Sequence, residues 1–328
     1  MGSRNGKILV ALAVLCVLGA GAYIAYAALG PSETITDARP EAKAVLSDSN
    51  VMVRAVDPED PRLNGRVYVV HDGHVERHSG GQLACERVYF AAGRGICMGV
   101  AESGVDYVAT IFDAKMHPVH TIRLSGFPSR ARVSTDGRYG AMTVFVTGDS
   151  YLGTSAAFST RTYIVDMATG EPLDQLERFH VSKDGKPFDA PDFNFWGVTF
   201  AKDSNRFYAT LGTGDHHYLV EGSVRDRSMR VLRDGVECPS LSPDGTRIAF
   251  KSRIGEQTRW RLRVLSLATL QDHGLAEKRS IDDQVEWLDD ENLVYSDGQN
   301  VYAVPANGGG EPQQILKNAT SPVSLHVR

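Results

Sequence analysis

From residue 50 onward, apolar and polar residues alternate over short runs, and Gly, Asp, Asn and Pro cut the runs apart. A period of two with such punctuation predicts half-buried strands joined by tight turns. The clearest case is 236–251, Val-Glu-Cys-Pro-Ser-Leu-Ser-Pro-Asp-Gly-Thr-Arg-Ile-Ala-Phe-Lys. Pro243 presets φ for the first central position of a turn, and Gly245 takes a positive φ at no steric cost. The chain then reverses into a second strand with Ile248 and Phe250 on one face. A third strand at 259–267 and a fourth near 271–275 complete the unit.

The same plan recurs along the chain. Units at 86–124, 130–176, 197–232 and 284–316 each read as strand, turn, strand, strand, strand. A period of about 40–45 residues with four strands per unit is a propeller signature. Residues 50–79 supply only three further strands, at 51–56, 66–71 and 74–77, while 322–327 is an orphan strand that fits the first place of a unit. The two ends of the chain therefore predict one shared blade, which closes the ring and removes a free sheet edge. The expected fold is all-β, a six-bladed β-propeller of four-stranded antiparallel blades over 50–328, preceded by one amino-terminal hydrophobic helix. A β-sandwich leaves the missing strand and its matching orphan unexplained.

The segment Leu-Ser-Pro-Asp-Gly-Thr-Arg-Ile-Ala-Phe at 241–250, followed by Arg-Val-Leu-Ser-Leu-Ala-Thr at 263–269, resembles the WD40-like propeller repeat of TolB-type proteins. The units at 130–176 and 197–232 match it more loosely, and the likeness covers most of 50–328. It implies a TolB-like exported propeller. It does not carry a Tol–Pal role, because residues 31–49 are too few for the α/β domain that precedes the propeller in TolB.

The amino terminus supports export on its own residues. Residues 8–29 form an uncharged run after Arg4 and Lys7 and before Glu33, Asp37 and Glu41. At about 1.5 Å per residue the run crosses a bilayer core of roughly 30 Å. Basic flank before and acidic flank after place the tail, 1–7, in the cytoplasm and the remainder outside. Ala25-Tyr26-Ala27 also offers a small-residue cleavage site, so the run reads either as a transmembrane anchor, the reading favoured by its length, or as a signal peptide. Residues 30–49 read as a polar tether with a short helical turn at 41–46. Export permits disulfides. Cys85 and Cys97 flank one hairpin, as a disulfide or as two small buried residues, and Cys238 reads as a buried apolar residue.

Composition excludes some functions. A formal charge of −5 and the lack of a long Lys/Arg run argue against a nucleic-acid partner. No phosphate-binding loop, dinucleotide fingerprint or nucleophile elbow occurs, so no cofactor is expected. His71-Asp-Gly-His74 and His216-His217 lack the further ligands that a zinc site requires, so no metal is expected either.

Candidate chemistry lies where the chain exceeds the repeat, at 147–160 and at 177–196, since long loops on a rigid scaffold are often functional. The first stretch carries Tyr151 and Phe158, and the second carries His180, Asp192, Phe193, Asn194, Phe195 and Trp196. The aromatic residues offer either stacking surfaces or packing for a long crossover, with Asp192 and Asn194 as hydrogen-bonding groups. Glu286 and Trp287, on the innermost strand of their unit, are candidates for the central channel or for packing between blades. The expected function is a non-catalytic binding or scaffold module for a protein, peptide or envelope glycan, held to the membrane through 8–29. The alternative is a secreted propeller hydrolase, lyase or oxidoreductase with its site at the channel mouth.

Overall fold

Six sheets stand around one axis, five of them with the first strand, in chain order, of their four-strand repeat innermost. A computed structural model describes residues 35, 37–38, 45–47, 49–57, 63–76, 83–146, 159–255 and 259–325. The second blade runs outward through Arg87–Ala91, Arg94–Val100, Tyr107–Asp113 and Pro118–Leu124. The third takes Gly126–Val133, Tyr139–Val146, Thr160–Asp166 and Pro172–Gln175. The fifth takes Glu237–Leu241, Arg247–Arg253, Trp260–Ser266 and Asp272–Gly274. The sixth takes Glu286–Trp287, Asn292–Ser296, Val301–Pro305 and Gln313–Leu316.

The first blade is built from both ends of the chain. Ala319–Ser324 is its inner strand and pairs antiparallel with Asn50–Ala55, followed by Val67–His71 and His74–Glu76. The closing strand lies earlier than the expected 322–327. Pro322 reads as a breaker in sequence, yet it sits at a bulge between the pairs Met52↔Val323 and Arg54↔Thr320, where the ladder needs no N–H. The strand therefore continues through it.

The fourth blade departs from the repeat. Beyond Asn194–Phe200, Arg206–Thr213, His216–Ser223 and Ser228–Arg233 it gains a hairpin, His180–Lys183 and Lys186–Phe188. His180–Lys183 adds in parallel to the outer strand, so much of the stretch expected to be a loop instead caps a sheet edge.

Turn chemistry sets the register. In the fifth blade, Gly245 has φ +75°, the Ser242 hydroxyl donates to Asp244 at 2.5 Å, and the Thr246 N–H donates to the same carboxylate at 2.9 Å. Burial opposes ionisation of Asp244, but these donors hold its pKa down to about 2. Ser134 and Asp136 repeat the arrangement in the third blade. The blades pack through apolar faces, such as Ile96, Met98, Met142 and Val165 between the second and third.

The 30–49 stretch is not wholly a free tether. Ile35, Ala38 and Leu46 are buried against the first and sixth blades, and the Ala38 N–H donates to the Gly73 carbonyl at 2.8 Å. The apolar run at 8–29 lies outside the described residues, among which no helix is long and apolar enough to cross a membrane.

Candidate functional site

The inner strands of four blades carry bulges at equivalent places. A bulge frees backbone groups from the ladder, and a buried carbonyl needs a donor. In the fourth blade the bulge residue Gly197 has φ +65°, and a Cβ there would lie 2.7 Å from Cys238 Cα. No larger residue fits that close approach of two inner strands.

Channel side chains satisfy the freed carbonyls. Arg87 Nε and Arg130 Nη1 both donate to the Ser129 carbonyl, at 2.6 and 2.8 Å. Gln284 Nε2 donates to the Val198 and Pro239 carbonyls, at 3.3 and 2.9 Å. Arg132 Nε reaches the Val198 carbonyl at 3.4 Å, and its Nη2 donates to the Ser240 hydroxyl at 3.3 Å.

One buried network divides the channel. Arg132 forms an ion pair with Glu286, whose other oxygen accepts from the Tyr89 hydroxyl at 3.1 Å. The Arg132 guanidinium also lies over the Tyr89 ring, 4.5 Å from its centroid. Burial lowers the Arg132 pKa, but Tyr89 and Glu286 raise it above the ordinary guanidinium value. On one side is an entrance cavity of about 30 Å³ lined by Arg87, Arg130, Asp283 and Gln284. On the other is an exit cavity of about 360 Å³ lined by Phe90, Val133, Thr135 and Leu325. Tyr89 and Glu286 line both.

A second charged cluster flanks the entrance. Lys251 pairs with Asp282, which also faces Arg130 at 3.7 Å. Burial raises the Asp282 pKa, but the Lys251 and Arg130 cations hold it below the usual carboxylate range. Buried Glu237 accepts from Arg253 Nε at 2.9 Å and from the Trp260 indole at 3.2 Å. His217 lies 3.6 Å from Glu237, and its burial lowers its pKa.

The residues singled out from sequence do not form one site. Glu286 faces the channel, while Trp287 turns into the blade interface and donates to the Ser240 carbonyl at 2.9 Å. His180 is exposed on the added hairpin at the outer edge of the ring. Asp192 accepts from Thr213 Oγ1 at 2.6 Å and Gly214 N at 2.7 Å, and these donors depress its pKa. Asn194 ties Thr160 N to the same loop at 2.7 Å. Phe193 is half-buried between Phe188 and Phe195, Phe195 is fully buried, and Trp196 is buried with its ring 5.6 Å from His217. These aromatics therefore pack the crossover. Tyr151 and Phe158 lie outside the described residues.

Cys85 and Cys97 are joined by a disulfide, and Cys238 is a buried free thiol. Among the described residues no three metal-ligating side chains converge. The arginines went unnoticed in the sequence, although Arg87 and Tyr89, like Arg130 and Arg132, stand two apart on inner strands. That spacing puts both members of a pair on one face.

Six blades and a ring closed by the carboxyl-terminal strand define a six-bladed β-propeller with a charged channel. No protein-family model matches the chain, and neither does any curated protein. Among solved structures the fold is similar to that of TolB from Acinetobacter baumannii, at 14% identity and a TM-score of 0.61, covering 85% of this chain and 67% of that one. It is also similar to a chain of a nidogen/laminin complex, at 11% identity and a TM-score of 0.57, covering 85% of this chain and 99% of the other.

Proposed function

We propose that the protein is an exported, membrane-anchored binding or scaffold module whose working surface is the entrance face of the propeller and whose partner is a protein or peptide. The observation that carries this reading is where apolar side chains stay exposed. Among the described residues six large hydrophobics are exposed. Val100 pairs with Tyr107, whose ring meets Phe127, and Val105 lies in the turn before Tyr107, so these three share one stretch of the entrance side, while Ile254 stands apart on the fifth blade. Exposed apolar clusters beside polar groups are typical of protein-binding sites. Phe127 is 45% exposed even though it contacts the Tyr107 ring edge-on at 5.4 Å. The nidogen/laminin chain belongs to a complex between proteins, which fits the same use of the fold. The run at 8–29 supplies the anchor and places the propeller outside the cytoplasm.

The test is capture from envelope extract by the full-length chain and by a Phe127→Asp, Val105→Asp double variant. Loss of a specific partner with unchanged circular dichroism supports the reading. Equal capture by both chains refutes it.

A further inference from the structure

Protein contacts do not exhaust the charge at the entrance cavity. Arg87 and Arg130 are held side by side because both donate to the Ser129 carbonyl. Arg130 Nε is buried with no hydrogen-bond partner, and Arg87 makes no ion pair among the described residues. Burial first, and then the Arg130 cation, bring the Arg87 pKa down to about 10. At Arg130 burial is outweighed by Cys238, Asp282 and Asp283, which raise its pKa, so Arg87 is the less compensated of the two. Two crowded guanidiniums are stabilised by an oxyanion, which guanidinium forks bind in bidentate fashion.

We propose that Arg87 and Arg130 form a carboxylate-binding subsite at the channel entrance, which takes an acidic side chain or terminal carboxylate of a polypeptide partner. The cavity is about 30 Å³, and about 10–15 Å³ on this scale holds one water, so two to three oxygen-sized atoms fit. The charged side chains lining the cavity are Arg87, Arg130 and Arg132 against Asp283 and Glu286, a balance of one positive charge (3 − 2). A singly charged carboxylate neutralises it, whereas a doubly charged phosphate leaves an excess of negative charge. Val88, Ala131, Pro322 and Val323 line the same cavity, so apolar residues adjoin the cations. A polypeptide can offer an apolar residue beside an acid, while a uronate glycan offers hydroxyls there. The subsite rests on the binding-module reading only for the source of the carboxylate.

The probes are sodium acetate, acetyl-Leu-Glu-Leu-amide, its Gln counterpart, sodium phosphate and tri-galacturonate, each titrated into the ¹⁵N-labelled full chain. The readout is the arginine Nε–H signals, with sodium chloride at matched ionic strength as the control. Acetate should give saturable shifts at Arg87 and Arg130, and the Glu peptide should bind about tenfold or more tighter than the Gln peptide. Arg87→Gln and Arg130→Gln should each abolish that discrimination, while Arg87→Lys keeps charge and fold yet weakens it. No saturable acetate shift, equal binding of the two peptides, or tighter binding of phosphate or tri-galacturonate overturns the subsite as proposed. Acetate binding together with failed envelope capture would retain the carboxylate site and remove only the module reading.

Discussion

Arg132 and Glu286 form a buried ion pair between the third and sixth blades, which face each other across the ring. Through Tyr89, the Val198 carbonyl and Ser240, the same two side chains also engage the second, fourth and fifth blades. Removing one partner leaves the other charge uncompensated, which costs about 3–5 kcal/mol, whereas replacing both is far milder. Glu286→Gln and Arg132→Met should each lower stability by about that amount. The Arg132→Met, Glu286→Met double variant should lose clearly less than the sum. Denaturant midpoints of the four chains give the coupling, and additive losses would contradict the network.

Closure of the ring rests on a short strand. Val323 is buried with Met52, Val67, Cys85 and Phe112, and Met52 and Val51 pair with Val323 and Ser324. A chain ending at Ser321 loses about 1.5–3 kcal/mol from Val323 alone and exposes the edge of Asn50–Ala55. Thermal unfolding should become broader and start lower, with new dye-binding apolar surface. An unchanged transition would show that the ring does not depend on this strand.

The ring was legible because its determinants are local. Ser134-Thr135-Asp136-Gly137 and Ser242-Pro243-Asp244-Gly245 carry their own hydrogen bonds and positive-φ glycines, so their spacing counts blades without tertiary knowledge. The added hairpin also had a local signal, Asp184-Gly185 at its turn with φ +52° and +73°, the pattern of a tight hairpin. The channel had no such signal. Arg132 and Glu286 are 154 residues apart, and only closure of the ring makes them neighbours. The Phe193 to Trp196 aromatics were ambiguous for another reason, since the same residue types serve stacking sites and cores.

Those aromatics can be separated experimentally. Phe195 is fully buried among Leu176, Phe207 and Leu211, so Phe195→Ala should cost about 3–5 kcal/mol through lost burial and the cavity left behind. Phe127, 45% exposed, should change stability by only about 0.5 kcal/mol when cut to Ala. Partner capture should follow the opposite order once folded protein is matched. Denaturation curves beside capture assays decide it, and an unaffected Phe195→Ala stability would mean that the crossover is not packed as described.

Glu177 predicts an unusual pH response. It lies in the 3₁₀ turn Leu176–Arg178, where burial pushes its pKa up to about 7 although its carboxylate accepts from Thr162 N at 3.0 Å. A carboxyl with a raised folded-state pKa binds more protons folded than unfolded. Its contribution is therefore fully present below about 4.5, declines as pH rises, and is gone above about 7. The swing at this site is on the order of 3 kcal/mol. Glu177→Gln, which keeps an acceptor for Thr162 without a charge, should flatten stability across that window and make the protein more stable than wild type at pH 8. Denaturant midpoints at several pH values test this, and parallel pH profiles for the two chains would show that Glu177 titrates normally.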